Sequence, residues 1–425
     1  MHDKRRMSGR EVWGALGPGL LMAGAAIGVS HLVQSTRAGA DFGWQLVWVV
    51  IAINLVKYPF FAFGHHYAIA TGNNLLDGYL RLGRFWLGAF LVLNLITALA
   101  SVAGVTFVTA ALLQNLVGGG WGVAGWSAAL MVGTVVVLLI GHYQWLDASI
   151  KWVVVALSLA TLVAFAAALV HGPSALPGAE ALAPSPWDKA SLGFIIALMG
   201  WMPAPIELSV WQSLWIQAKE RATGVRATRQ SASWDFNIGY GLTMVTAMLF
   251  LGLGALVMFG TGVTFSDAGA AFAGQVVRIY TSTIGEWSGV WIGVAALAAM
   301  VSTSTTVIDA YPRSLAAGAK LMMPSLRTGD RALHGWVMVL CCAASLVIVF
   351  HFQKSIKGMV DWATTIAFLT APLFAWLNYR LMTDVHLAPD WRPGPFMRLW
   401  CWASLVFLTG FGVLYVLNRF GPESW

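Results

Sequence analysis

The sequence predicts an all-α polytopic membrane protein, built as two five-helix repeats of opposite orientation followed by an eleventh helix. Three observations predict it. The 425 residues are 58% hydrophobic and only 10% charged, too little polar surface to cover a soluble core of this size. Apolar windows of about 20 residues, the length needed to cross a bilayer, recur eleven times. The first and sixth windows are interrupted at comparable places, as expected for discontinuous helices in corresponding halves of a repeat.

The windows start near Trp13, Trp44, Trp86, Ala124, Ala148, Ser191, Asp235, Glu286, His334, Ile356 and Leu399. They define one transmembrane domain over 1–425, with repeats at about 13–171 and 191–382 and the extra helix at about 398–418. Five spans per repeat oblige the second repeat to insert upside down relative to the first. A short amphipathic segment between Thr261 and Gly285, AAFAGQVVRIY, is expected outside the membrane proper. The chain opens on the basic stretch MHDKRRMSGREVWG with no small-residue cleavage site before the first span, which reads as a cytoplasmic tail.

Charge supports this topology. With the N-terminus inside, 18 of the 25 Lys and Arg lie on the cytoplasmic side. Six, Arg37, Lys189, Arg278, Lys354, Lys357 and Arg419, lie on the other side, and Lys57 lies within a span. That asymmetry follows the positive-inside rule and predicts a cytoplasmic N-terminus and a C-terminus across the membrane, in a bacterial inner membrane. The net charge of +7 is therefore a topology signal and not a nucleic-acid surface. Cys341, Cys342 and Cys401 sit in apolar runs without disulfide or metal-ligand spacing and are expected to pack as small residues. The expected partners are membrane lipid and a transported ion or solute, with a monomer as the simplest assembly and no resident cofactor.

The first span reads GPGLLMAGAAIGVSHLVQSTRAG from Gly17 to Gly39. Gly24, Gly28 and Ser30 are weak helix formers, and GAAIG would let a substrate or another helix approach the backbone. His31, Gln34 and Ser35 fall at i, i+3 and i+4, one face of an α-helix. Close helix packing around a hydrogen-bonded His is the other explanation. In span six, MPAP at Met202 to Pro205 removes two backbone donors, so carbonyls of the preceding turn lose their partners. In a bilayer such groups must be buried in protein or face a watery cavity. Carbonyls at a half-helix C-terminus attract cations, and free N–H groups at the next N-terminus attract anions. Two such breaks point to a midplane binding site in a secondary transporter. Glu207, two residues past Pro205, is either a cap of the second half-helix or an intramembrane functional acid.

Span two carries Asn54, Lys57, Gly64 and His65 along one stripe. Lys57 is too deep to snorkel easily and requires a partner; Glu207, Asp235 and Asp309 are the candidates. It is either half of a structural ion pair or, with His65, Asp235 and Asp309, part of a proton- or ion-coupling set. The adjacent pair His65–His66 lacks the i, i+4 spacing of a helical metal site. Ser302, Thr305, Thr306 and Asp309 in span eight, and Asp361, Thr364, Thr365 and Asn378 in span ten, suit either a cation path or hydrogen bonding within their own helices. No nucleophile–base pair, phosphate loop or HExxH pattern occurs, so an enzyme is not expected.

Several stretches resemble the Nramp family of divalent-metal transporters: GPGLL from Gly17, the pair Ala38–Gly39, FGWQLVW at the start of span two, ATGNNLLDGY at its end, and the Met-Pro of span six. The resemblance covers most of the chain and is most specific in the first 85 residues. It implies a leucine-transporter-like fold with substrate held between the broken first and sixth helices. The family's first-helix Asp-Pro-Gly-Asn, whose Asp and Asn ligate the metal, would fall on Gly28, Val29, Ser30 and His31. The carboxylate is gone and His replaces Asn. In helix six the family's Met-Pro-His becomes Met202, Pro203 and Ala204; its ligand-contributing Ala becomes Met199, and its second His becomes Ser209. The resemblance thus implies a substrate site near Gly28, His31, Gln34, Met199, Met202 and Glu207. Any metal would be held by Met202, His31, Glu207, carbonyls near Ala25 and Pro203, and water. Related branches that move magnesium show that the scaffold accepts other cargo. The expected function is a secondary transporter moving a cation, a divalent metal first, by alternating access through a non-standard site. An anion or small organic solute, favoured by Lys57 and His31, and a transport-deficient membrane sensor are the alternatives.

Overall fold

The computed structural model describes residues 17–141, 143–174 and 183–421, the side chains of 143–154 excepted. The predicted start of span one at Trp13, the basic residues of the N-terminal tail and the Lys151 side chain lie outside the described residues. Span one consists of α1 (Pro18–Ala26), a π-wound turn (Ser30–Ser35) and α2 (Thr36–Phe42). Then follow α3 (Val47–Thr71), the short α4 (Leu75–Leu82), α5 (Arg84–Val117), α6 (Gly122–Ile140) and α7 (Tyr143–His171). Span six is split into α8 (Lys189–Trp201) and α9 (Leu208–Thr223). The remaining helices are α10 (Arg229–Val257), α11 (Gly269–Ile284), α12 (Gly289–Met322), α13 (Asp330–His351), α14 (Ile356–Met382) and α15 (Pro395–Phe420).

Eight of these are long and apolar enough to cross a membrane; the two split helices and α7 bring the count to the eleven expected. The amphipathic segment AAFAGQVVRIY forms α11. Helix α10 begins at Arg229, two turns before the expected Asp235, because Thr228 and Ser231 form a capping box ahead of the apolar run. Cys341, Cys342 and Cys401 are free thiols in buried positions.

Helix α5 lies at the centre, with 67% of its apolar window buried, whereas α6 has 22% and α15 28%. The rim helices therefore present Val132, Leu139, Val406 and Leu414 outward, a surface that suits lipid. Inside, where lipid supplies no hydrophobic drive between helices, polar pairs clasp them together. Asn94 on α5 donates to Ser314 Oγ on α12 (3.0 Å), and the Thr109 and Ser304 hydroxyls meet at 2.7 Å. Asn378 on α14 donates to Phe60 O (3.0 Å) and Ser209 Oγ (2.8 Å) and accepts from the Tyr79 hydroxyl (2.5 Å). It is a structural node joining α3, α4, α9 and α14. Gly200 of α8 lies so close to the Thr364 carbonyl of α14 that no β-carbon fits.

Candidate functional site

The two breaks face each other near the centre of the bundle. In span one the Gly28 N–H turns back to the Ala26 carbonyl (2.9 Å) instead of reaching Gly24. The Gly24 carbonyl is thereby freed, and the Thr303 hydroxyl of α12 donates to it at 3.2 Å. In span six Pro203 has no N–H for the Met199 carbonyl. The Lys57 ammonium takes its place, donating to the carbonyls of Met199 (2.8 Å), Gly200 (2.7 Å) and Ala204 (3.0 Å). Lys57 is fully buried. None of the three expected carboxylates makes a direct salt bridge with it, Glu207 acting only at longer electrostatic range: the helix-break carbonyls are unpaired and adjacent and take its N–H groups, so the ion-pair expectation is corrected.

Between the breaks lies a crevice of about 30 Å³. Its oxygen-bearing walls are Ser30 from span one, Ser101 from α5, Thr303 and Tyr311 from α12, and the Pro203 region of span six. Ser30 Oγ donates to the Ala26 carbonyl at 2.8 Å, and the Ser101 and Tyr311 hydroxyls meet at 3.0 Å. Tyr311 also donates to Glu207 Oε1 at 3.0 Å. Glu207 immediately precedes α9 but makes no side-chain cap; its carboxylate is fully buried and turned toward α12. The capping explanation for Glu207 is thus replaced by an inward-facing acid. Its Oε2 has no hydrogen-bond partner among the described residues, with the Thr97 hydroxyl and Lys57 within electrostatic reach.

Other expected site residues are dispersed. His31 and Gln34 do not share a face, because Ser30–Ser35 is π-wound and each residue turns less about the axis than in an α-helix. His31 Nε2 reaches the Thr243 carbonyl (2.9 Å) and Nδ1 the Ser30 hydroxyl (2.7 Å), so both ring nitrogens are engaged. Gln34 points to α14, donating to Asp361 (3.1 Å), which also takes a two-pronged ion pair from Arg37 (2.7 and 3.1 Å). Met199 and Met202 are buried but line no part of the crevice. Gly28 packs against α12: a β-carbon there would stand 2.8 Å from Thr303 Oγ1. The space a carboxylate at this position would need is occupied by Thr303. Among the described residues no cluster of three His, Cys, Asp or Glu side chains could hold a metal.

The coupling set is likewise split. Asp235 accepts from the backbone N–H groups of Gly17 (3.0 Å) and Gly19 (2.7 Å), capping α1 from the neighbouring α10. It shares a cavity of about 620 Å³ with His65, whose ring nitrogens have no partner among the described residues. Asp309 pairs with Arg313 (2.6 Å) and His334 (3.5 Å) at a different cavity of about 830 Å³. Thr305 and Thr306 bond back to their own helix, the local explanation. The wall residues that sequence reasoning missed were Ser30, Ser101, Thr303 and Tyr311. Thr303, Val307 and Tyr311 repeat at i, i+4 and i+8, a helical face that could have flagged the last two.

The sequence profile of the natural resistance-associated macrophage protein-like family, Nramp, matches residues 19–418. The chain belongs to the Nramp family. It is 37% identical over 408 residues, 96% of this chain and 93% of the relative, to an uncharacterized protein of Pasteurella multocida. It is 28% identical over 298 residues to the divalent metal cation transporter MntH of Chromohalobacter salexigens, covering 68% of this chain and 66% of MntH. Among solved structures it is similar to a point mutant of the Eremococcus coleocola manganese transporter, with a TM-score of 0.69 at 15% identity over 99% of this chain and 91% of that one. It also resembles MhsT bound to L-phenylalanine, with a TM-score of 0.64 at 13% identity over 95% and 98% of the two chains. These likenesses establish the leucine-transporter-like fold. As an Nramp protein the chain is a membrane transporter and not an enzyme.

Proposed function

We propose that this Nramp protein moves a hard cation, a partly hydrated divalent metal first, by alternating access through the crevice between the two helix breaks. The observation that carries the reading is the crevice itself. It has room on the scale of an ion with one or two waters, about 30 Å³, and four hydroxyl side chains, Ser30, Ser101, Thr303 and Tyr311, stand in an otherwise largely apolar lining that includes Trp201 and Trp211. Oxygen ligands suit Mg²⁺- or Mn²⁺-like ions, which keep part of their water, better than softer metals that favour sulfur and imidazole. Glu207, one hydrogen bond behind Tyr311, supplies the nearby negative charge. Two proteins it resembles, a divalent metal cation transporter and a manganese transporter, agree with this class of cargo. The lining omits His31 and Met202, so these are not the ligands in this reading.

Uptake into proteoliposomes tests it. With Mg²⁺ and Mn²⁺ outside, the intact protein is expected to accumulate one or both. Glu207→Gln and Thr303→Val are expected to lower the rate at least several-fold, while a His31 variant that stays folded retains more activity. Uptake of organic acids with no metal flux would overturn the reading in favour of an organic-solute transporter. The basic-residue asymmetry of 18 to 6 supports an N-terminus inside.

A further inference from the structure

We propose that the break between α8 and α9 forms a monovalent-cation cage whose occupant is built into the chain, the Lys57 ammonium. A buried lysine held in an ordinary ion pair would rest on a carboxylate. Lys57 Nζ rests instead on the carbonyls of Met199, Gly200 and Ala204, at 2.8, 2.7 and 3.0 Å. An ammonium has three N–H donors, and three carbonyls use all of them. These carbonyls are available because the chain is interrupted. Pro203 cannot serve Met199, α8 ends at Trp201, and the Ala204 carbonyl belongs to the irregular turn between the half-helices. Two of them sit at the C-terminal end of α8, the negative pole of its dipole. Several carbonyl oxygens converging on one point replace the hydration shell of a small monovalent cation, and broken helices in transporters present such carbonyls to ions.

The cage and the substrate crevice share Ala204. The tethered ammonium therefore excludes an exchangeable cation from the cage beside the crevice. The proposal does not depend on the cargo being a metal, since it concerns the occupant of the cage and is read out without transport.

Removing the tether should open the cage to free cations. Thermal unfolding of the detergent-purified full chain would be followed in methylammonium, potassium, sodium and choline chlorides at constant ionic strength. The unsubstituted protein is expected to melt at the same temperature in all four. Lys57→Ala is expected to melt several degrees lower in choline, which is too large for the cage. It should recover saturably in methylammonium, which restores the missing end of the side chain, and partly in sodium or potassium. A variant that responds to none of the ions, or that melts like the parent in choline, would overturn the proposal. Should Lys57→Ala give no folded protein in choline, recovery of folded protein in methylammonium is the supporting result. If it gives none in any salt, Lys57→Ser is put through the same comparison, and failure of both in methylammonium counts against the cage.

Discussion

Position 28 shows how one missing side chain reshapes a site. Glycine there lets α12 press Thr303 against the break in span one, and the Thr303 hydroxyl satisfies the freed Gly24 carbonyl. Gly28→Asp should therefore not restore a metal ligand. It should push Thr303 away and destabilise the protein by about 1–3 kcal/mol, read as a lower melting temperature with no gain in Mn²⁺-dependent stabilisation. Asp235 carries a second residue-scale prediction. It ties the start of α1 to α10 through the Gly17 and Gly19 N–H groups. Asp235→Ala should cost about 1–2 kcal/mol, the range for losing a helix cap, and should raise hydrogen exchange at those two amides. That two helix interruptions exist was legible in the residues, since Gly24, Gly28 and Ser30 are weak helix formers in span one and Pro203 and Pro205 remove donors in span six. Which group answers each orphaned carbonyl was not, because Lys57 and Thr303 come from distant parts of the chain.

At the scale of elements, the π-wound turn decides where span one sends its polar side chains. An α-helical reading puts His31 and Gln34 on one face; the wider winding sends His31 to α10 and Gln34 to α14. Local sequence does not specify that winding, which depends on what each side chain finds to bond. The contact of α8 with α14 is tighter still. Gly200→Ala should prevent the two from packing, because the β-carbon meets the Thr364 backbone and not a movable side chain. The expected result is loss of monodisperse protein in size-exclusion chromatography, whereas Gly133→Ala, with open space around it, should behave as the parent. Helix α15 is anchored partly through another proline. Pro59 leaves the Leu55 carbonyl of α3 without its helical donor, and Trp400 Nε1 donates to it at 3.1 Å. Trp400→Phe should lower stability by about 0.5–1.5 kcal/mol in thermal unfolding.

For the whole molecule, the charge asymmetry predicts an orientation that labelling can check. Val225 lies 69% exposed in the loop before α10, and Val263 56% exposed in the loop after it. In intact cells a membrane-impermeant maleimide should label Val263→Cys at once and Val225→Cys only after permeabilisation. The native cysteines, all buried, should give little background. The reverse pattern would invert the assigned topology.

By itself the sequence determined the class of molecule, the number of spans, the two interruptions and the Nramp kinship. Those properties follow from local quantities, namely apolar length, missing donors and short motifs, and each is complete within one stretch of chain. Only the tertiary structure decided what stands in the crevice. Ser101 and Tyr311 meet there from helices about two hundred residues apart, 210 positions in sequence, and Lys57 reaches across 142 positions to the Met199 carbonyl. A polar group inside a membrane must find a partner, but the nearest unpaired group is set by packing, and packing is not written in any one segment.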